Sequence, residues 1–398
     1  MANKNTRLYT IQVLSLLSIW ITLVSCFWDI GFSQNLSPIK LGLMSFSFSG
    51  AMALFNALMM MLVKPIYSKI AMLVALIIDI VLYVLLYMAN LNHNIIYVYI
   101  FLVAACFSSI SISRDKIFEV TSLKGADISE KIFKFMRFIG PIVGGVIVEL
   151  LNFKNIMLLN IVLLFLSILT VFTIESPTTN IELEKTESKY ITSNIYEKNA
   201  RVFHVFLVMA FIISIVIQMI DAQLVTVFHL ITNVSAVSFG LCIGISGIGV
   251  FLISSYFEKY FVRELFLYIG FLVMGILMIF AGSYFTSYQT IPLLLIFSMF
   301  LIGGLSWQMI MTTQENIIKS ISNRKKMLSL FSIVGIILVI SYSLGALSSG
   351  FIVNKIGIAT LYSWIGYVLT ITGVLGKIIV TIIFNSRNQS TEDVKKYQ

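Results

Sequence analysis

The chain has 398 residues, of which 59% are hydrophobic and only 11% charged, with 27 Lys and Arg against 18 Asp and Glu for a net charge of +9. At a mean hydropathy of +0.98, too little polar surface remains to coat a water-soluble globule, so a soluble fold is excluded. Lys and Arg beside anionic head groups account for the basic balance without a nucleic acid.

Twelve nearly uncharged runs follow one another, near residues 9–32, 38–62, 70–90, 95–113, 133–152, 156–174, 204–228, 236–256, 265–283, 291–311, 328–352 and 359–384. Each is long enough to cross about 30 Å of hydrocarbon as a helix. The first ends in a polar stretch with no small-residue cleavage motif, which predicts a retained helix and not a cleaved signal. With the amino terminus inside, only Lys40, Lys154 and Lys355 fall at outer ends and Lys377 within the last run, leaving 23 of the 27 basic residues at inner ends. That bias predicts cytoplasmic termini on a multi-pass protein of the plasma membrane. Cys26, Cys106 and Cys242 all lie inside apolar runs without metal-ligand spacing, so three free thiols are expected.

The longest polar stretch, Glu175 to Arg201, contains Pro177 and many Ser, Thr, Asn and Glu residues. It predicts a cytoplasmic linker at 175–203 between a bundle at 1–174 and a second bundle with a tail at 204–398. The two parts echo each other. At a shift of 198, Ser37, Gly42 and Leu43 lie over Ser235, Gly240 and Leu241; at 200, Arg114, Asp115, Lys116 and Ile117 lie over Gln314, Glu315, Asn316 and Ile317; at 205, Gly140, Gly145, Ile147 and Val148 lie over Gly345, Gly350, Ile352 and Val353. Parallel repeats of this kind build a transporter with its site between the halves. The expected fold is an all-α membrane protein with 12 transmembrane helices in two pseudo-symmetric six-helix bundles.

The fifth run carries Gly140, Pro141, Ile142, Val143, Gly144 and Gly145, a GPxxGG core that resembles the motif typical of drug/proton antiporters of the major facilitator superfamily. Six plus six helices, inside termini and a charged central loop extend the resemblance over the whole chain. Met136 stands where a further upstream glycine is expected, and Val63 to Lys69 lacks the acidic residue and glycines of the superfamily's usual GxxxDRxGRK loop. Asp79, about ten residues into the third run, gives a flavour similar to the macrolide-efflux branch. The resemblance implies alternating access, export of a small molecule driven by protons, and, with the Ile, Lys and Asn bias, a bacterial source. Bare backbone at Gly140, Pro141, Gly144 and Gly145 lets the fifth helix approach a neighbour and bend, making these four gating candidates.

Ionisable groups inside hydrocarbon are costly and need a partner or a role. Asp221, in the outer half of the seventh helix, is the leading candidate for proton coupling or cation recognition; the alternative is a carboxylate hydrogen-bonded to Gln218, Gln223 or a hydroxyl. Asp79 and Arg114 form a second candidate set, with pairing possible only if the fourth helix sits deeper than its apolar run suggests. Asp115 and Glu315, at inner helix ends near Arg137 and Arg324, are gating candidates. Trp28, Gln218, Trp307 and Gln308, with Phe27 and Tyr288, suit an apolar cavity with few polar handles for a bulky amphiphile. Asp29 and Glu149 fall near outer helix ends, and Lys377 is expected to snorkel inward.

No phosphate-binding loop, metal cluster or nucleophile-base constellation is readable, so neither enzyme activity nor a cofactor or metal is expected. The function read from the sequence is proton-coupled export of a lipophilic or amphiphilic molecule by a monomer. The alternatives are a nutrient importer or uniporter, or a membrane immunity factor or lipid translocase on the same scaffold.

Overall fold

A computed structural model describes residues 2–88, 93–121, 123–174, 200–231, 234–253, 264–287, 292–321 and 324–396. The linker expected at 175–203 therefore lies almost wholly outside the described residues. The first half comprises α1 (Ala2–Ser25), which continues through a π-helical segment at Cys26–Phe32, then α2 (Pro38–Leu62), α3 (Ser68–Met88), α4 (His93–Thr121), α5 (Leu123–Leu150) and α6 (Phe153–Phe172). The second comprises α7 (Ala200–Ala222), the short α8 (Leu224–Phe228), α9 (Ala236–Leu252), α10 (Leu265–Ser287), α11 (Leu293–Ile321), α12 (Arg324–Ile356) and α13 (Ile358–Lys396).

Ten of these are long and apolar enough to cross a membrane. α9 is apolar but has only 17 described residues, and α5 carries Lys131, Lys134 and Arg137 before its apolar C-terminal part. With these two, the arrangement is compatible with the expected twelve. Met61, Ile70, Leu85, Phe172, Trp364 and Ile382 point outward and are exposed, as lipid-facing side chains would be.

Local chemistry fixes the helix ends. Ser37 and Ser235, matched by the repeat, both take the N-cap position, of α2 and α9 respectively, and Ser235 forms a reciprocal capping box with Ser238. The Asn152 side chain accepts from the Asn155 backbone N–H at 2.9 Å and starts α6. Gly357, at φ +80°, turns the chain from α12 directly into α13, a backbone conformation that glycine adopts without strain. The π-helical segment hands its last turn over through i→i−5 bonds, Ser33 N–H to Trp28 O at 2.9 Å and Leu36 N–H to Gly31 O at 3.0 Å.

The halves meet along two seams, α2 on α12 and α5 on α9. A Cβ on Gly42 would sit 2.7 Å from the Ala346 carbonyl oxygen, and one on Gly350 would sit 2.6 Å from the Pro38 carbonyl oxygen. In the other seam a Cβ on Gly145 would sit 2.6 Å from the Ala236 carbonyl oxygen, and one on Gly240 would strike the Pro141 carbonyl and lie 2.9 Å from the Gly145 Cα. The repeat maps Gly42 onto Gly240 and Gly145 onto Gly350, so the two seams are one contact used twice with the halves exchanged. Within each half the repeat is kept as well: Gly140 of α5 abuts the Trp20 ring of α1, while Gly345 of α12 abuts Ile215 and Gln218 of α7, and Trp20 maps onto Gln218 at the shift of 198. Small residues at repeat-related positions thus let backbones touch where the bilayer supplies no hydrophobic drive between helices.

Candidate functional site

With the membrane face at which α1 begins taken as the near face, the far face is where α2 and α9 begin and α5 ends. Contacts between the halves close it. Trp28 and Phe32 stack with centroids 4.4 Å apart, Phe32 stacks on His229 at 4.5 Å, and Trp28 meets Phe239 at 6.0 Å. Glu149, at the end of α5, accepts from the Ala236 backbone N–H of α9 at 2.8 Å, where an anion complements a helix N-terminus. Gln223 donates to the Pro38 carbonyl at 3.0 Å and to Ser349 Oγ at 3.1 Å, and Gln218 donates to Ser45 Oγ at 2.6 Å.

Beneath this closure lies a partly open cavity, built mainly by α7, α9, α10, α11 and α13 of the second half. Its wall is apolar, with Met274, Met278, Met299, Phe300, Phe285 and Trp307 among its side chains. Asp221 of α7 and Arg137 of α5 bring the two full charges into it. Among the described residues Arg137 is the one from the first half that lines it, so the cavity spans the division between the bundles. The charges act on each other and on Tyr342, and Asp221 also acts on Tyr362, yet no direct ion pair joins Arg137 to Asp221 among the described residues. Neither side chain has a hydrogen bond among the described residues, and Asp221 is exposed into the cavity. The alternative in which Gln218 or Gln223 satisfies Asp221 is not what the geometry shows, since Gln218 bonds Ser45 and Gln223 bonds Pro38 and Ser349.

The expected candidates therefore divide. Asp221 and Trp307 line the cavity, joined by Arg137, while the ion-pair partner of Asp115 is Arg114. Trp28 and Gln218 belong to the contacts between halves. Gln308 is buried and donates to Thr312 Oγ1 at 3.0 Å without lining the cavity. Gly140 and Gly144 pack on α1, and Gly145 with the Pro141 carbonyl packs on α9. Tyr288 lies outside the described residues, as does the Arg324 side chain.

Arg114 is buried and pairs with Asp115, Nη2 to Oδ1 at 2.7 Å, and with Ser111 Oγ at 3.1 Å. It does not pair with Asp79: α4 runs on to Thr121, so Arg114 does lie deeper than its apolar run suggests, but its neighbouring carboxylate captures it. Glu315 is exposed at the repeat-related position on α11. Asp79 is only 4% exposed and its Oδ1 has no hydrogen-bond partner. Close by, Tyr83 Oη bonds Thr22 Oγ1 at 2.5 Å and Asn160 Nδ2 donates to Thr22 at 3.0 Å, which ties α3, α1 and α6 together inside the first half.

The comparisons with known proteins agree with this architecture. A family model described as Major Facilitator Superfamily matches residues 132–282, from α5 into α10. The crystal structure of the human organic anion transporter MFSD10 (TETRAN) is similar over 94% of this chain and 99% of its own, with a TM-score of 0.62 and 10% identity. The fold is similar to that of this solved transporter. No curated protein sequence matches the chain. The seams α2–α12 and α5–α9 join the two halves, and the Asp221 cavity lies beside the surface on which they meet.

Proposed function

We propose that this major facilitator-like protein is a secondary transporter that moves an amphiphilic small molecule through the Asp221 cavity by alternating access, exporting it in exchange for protons. The observation that carries the reading is an ionisable carboxylate, Asp221, exposed in a largely apolar cavity that Arg137 of the first half also lines. A carboxylate in that setting binds a proton or a ligand's positive group, and the two compete, which is the requirement for exchange. The GPxxGG core supports the antiporter reading because Gly145 and the Pro141 carbonyl form the α5–α9 contact that must slide if the halves rock. The near face is taken as cytoplasmic on the strength of the basic residues at its helix ends.

Inverted vesicles energised with a pH gradient test this. They accumulate substrate from a panel of lipophilic antibiotics, and a protonophore abolishes the accumulation. Asp221→Asn removes its pH dependence; transport by that variant at the wild-type rate and with the wild-type pH profile would remove Asp221 from the mechanism.

A further inference from the structure

We propose that the transported molecule is a zwitterion with an apolar body, its positive group held by Asp221 and its negative group by Arg137. The inference rests on the transport reading above and specifies the substrate class for the same cavity. Arg137 brings a guanidinium, a positive group, into the cavity. Its guanidinium has no hydrogen bond among the described residues, and the only opposite charge lining the cavity is Asp221, which faces it without direct contact. Both groups are therefore charged donors and acceptors held open toward the same space.

Electrostatic bookkeeping then limits the ligand. A purely cationic amphiphile neutralises Asp221 and leaves Arg137 with no counter-charge in a poorly solvated pocket; a purely anionic one does the reverse. A ligand carrying one charge of each sign satisfies both and leaves the loaded cavity neutral. Its body meets Met274, Met278, Met299, Phe285 and Phe300, where flexible thioethers and rings accommodate irregular apolar shapes. Because Arg137 belongs to the first half and Asp221 to the second, a ligand with both charges pairs with a charged group on each bundle, so its binding energy depends on how they are arranged. A proton on Asp221 removes one of the two grips and competes with the ligand, as exchange requires.

Two sources share this chemistry, a single-chain zwitterionic lipid from the bilayer and a water-soluble zwitterion, and the probes separate them. Calorimetric binding is measured on the full chain in nanodiscs with lysophosphatidylcholine and with the dipeptide Phe-Phe. Beside the dipeptide stand its methyl ester, which keeps only the positive charge, and its N-acetyl form, which keeps only the negative. The expected result is that at least one zwitterion binds, and that the dipeptide, where it binds, does so at least tenfold more tightly than either single-charge form, about 1.4 kcal/mol. Preference for lysophosphatidylcholine assigns the lipid source, and preference for Phe-Phe the soluble one. Arg137→Gln shifts the preference to a singly positive ligand and Asp221→Asn to a singly negative one, so the wild-type ranking and two opposite changes check one another if one variant folds poorly. For the lipid arm, dodecyltrimethylammonium and lauric acid serve as the single-charge forms. Failure of both zwitterions to bind, equal binding of a single-charge form to the wild type, or unchanged ranking in both variants overturns the proposal. Zwitterion-selective binding without counterflow of the bound probe in vesicles would instead overturn the transport reading and leave the charge assignment standing.

Discussion

Gly240→Ala tests whether close backbone approach holds the far face shut. A Cβ at this position meets only backbone, the Pro141 carbonyl oxygen together with the Gly145 Cα at 2.9 Å and N at 3.0 Å, so no flexible side chain can yield. α5 and α9 must part by a few tenths of an ångström to about 1 Å, and overpacking of this kind costs about 1–3 kcal/mol. In a carrier that alternates between closed and open far faces, that cost falls on the closed state alone. It shifts the equilibrium by roughly 5- to 150-fold toward the open state. Spin labels at Lys154 and Lys355, exposed on opposite halves at the far face, report the separation, and Cys26, Cys106 and Cys242 are buried and leave little background labelling. The distance distribution gains a longer component in Gly240→Ala and in its repeat-related counterpart in the other seam, Gly350→Ala, where the added Cβ sits 2.6 Å from the Pro38 carbonyl oxygen. Gly335→Ala is the control, because nothing lies within 4 Å of its Cβ. Distributions identical to wild type in both seam variants, with transport unchanged, would refute the argument.

His229 gives the closure a pH dependence of defined sign. Burial lowers its pKa from 6.5 where it stacks on Phe32 across the halves, so the closed state disfavours the imidazolium. The contact has its full strength above about 6.5 and weakens as pH falls through that value toward the lower closed-state pKa. Acidifying from about pH 7.5 to 5.5 lengthens the Lys154–Lys355 label distance, and His229→Gln flattens the response. Asp79→Asn removes a buried carboxylate whose Oδ1 finds no donor, and raises stability by about 1–3 kcal/mol in thermal unfolding of the detergent-purified protein. A lower melting temperature together with lost transport would instead mean that the carboxylate has a working partner.

Much of the fold was legible because hydrocarbon imposes a simple rule: apolar runs must be helices. The run at 38–62 coincides with α2, Pro38–Leu62. Errors gather where helices outrun the bilayer. α5 begins at Leu123, ten residues before its apolar part, because its first turns are charged, and α11 and α13 extend to Ile321 and Lys396 past runs that end near 311 and 384. The glycine echoes were more informative than hydropathy, since a position that must be bare in one seam must be bare again in its symmetry mate. Gly42 with Gly350 and Gly240 with Gly145 follow that logic residue by residue.

The site was legible only by halves, and Arg137 explains why. Asp221 stands alone in an apolar run, so its cost announces it, whereas Arg137 follows Lys131 and Lys134 and reads as the last member of a solvated cluster at a helix end. The early start of α5 changes that geometry: fourteen residues separate Leu123 from Arg137, which carries the guanidinium about 21 Å along the helix and into the cavity. A charge run seen in one dimension cannot reveal where along a helix the bilayer begins. The Cβ-free surface of α9 supplies the missing constraint, because Gly247 packs against the Arg137 backbone and Gly244 against Phe138, fixing α5 at the depth where its arginine faces Asp221. Packing glycines on α9 therefore set the position of a charge on α5, and a bulky residue at Gly247 is expected to disturb the cavity's electrostatics without touching either charged side chain.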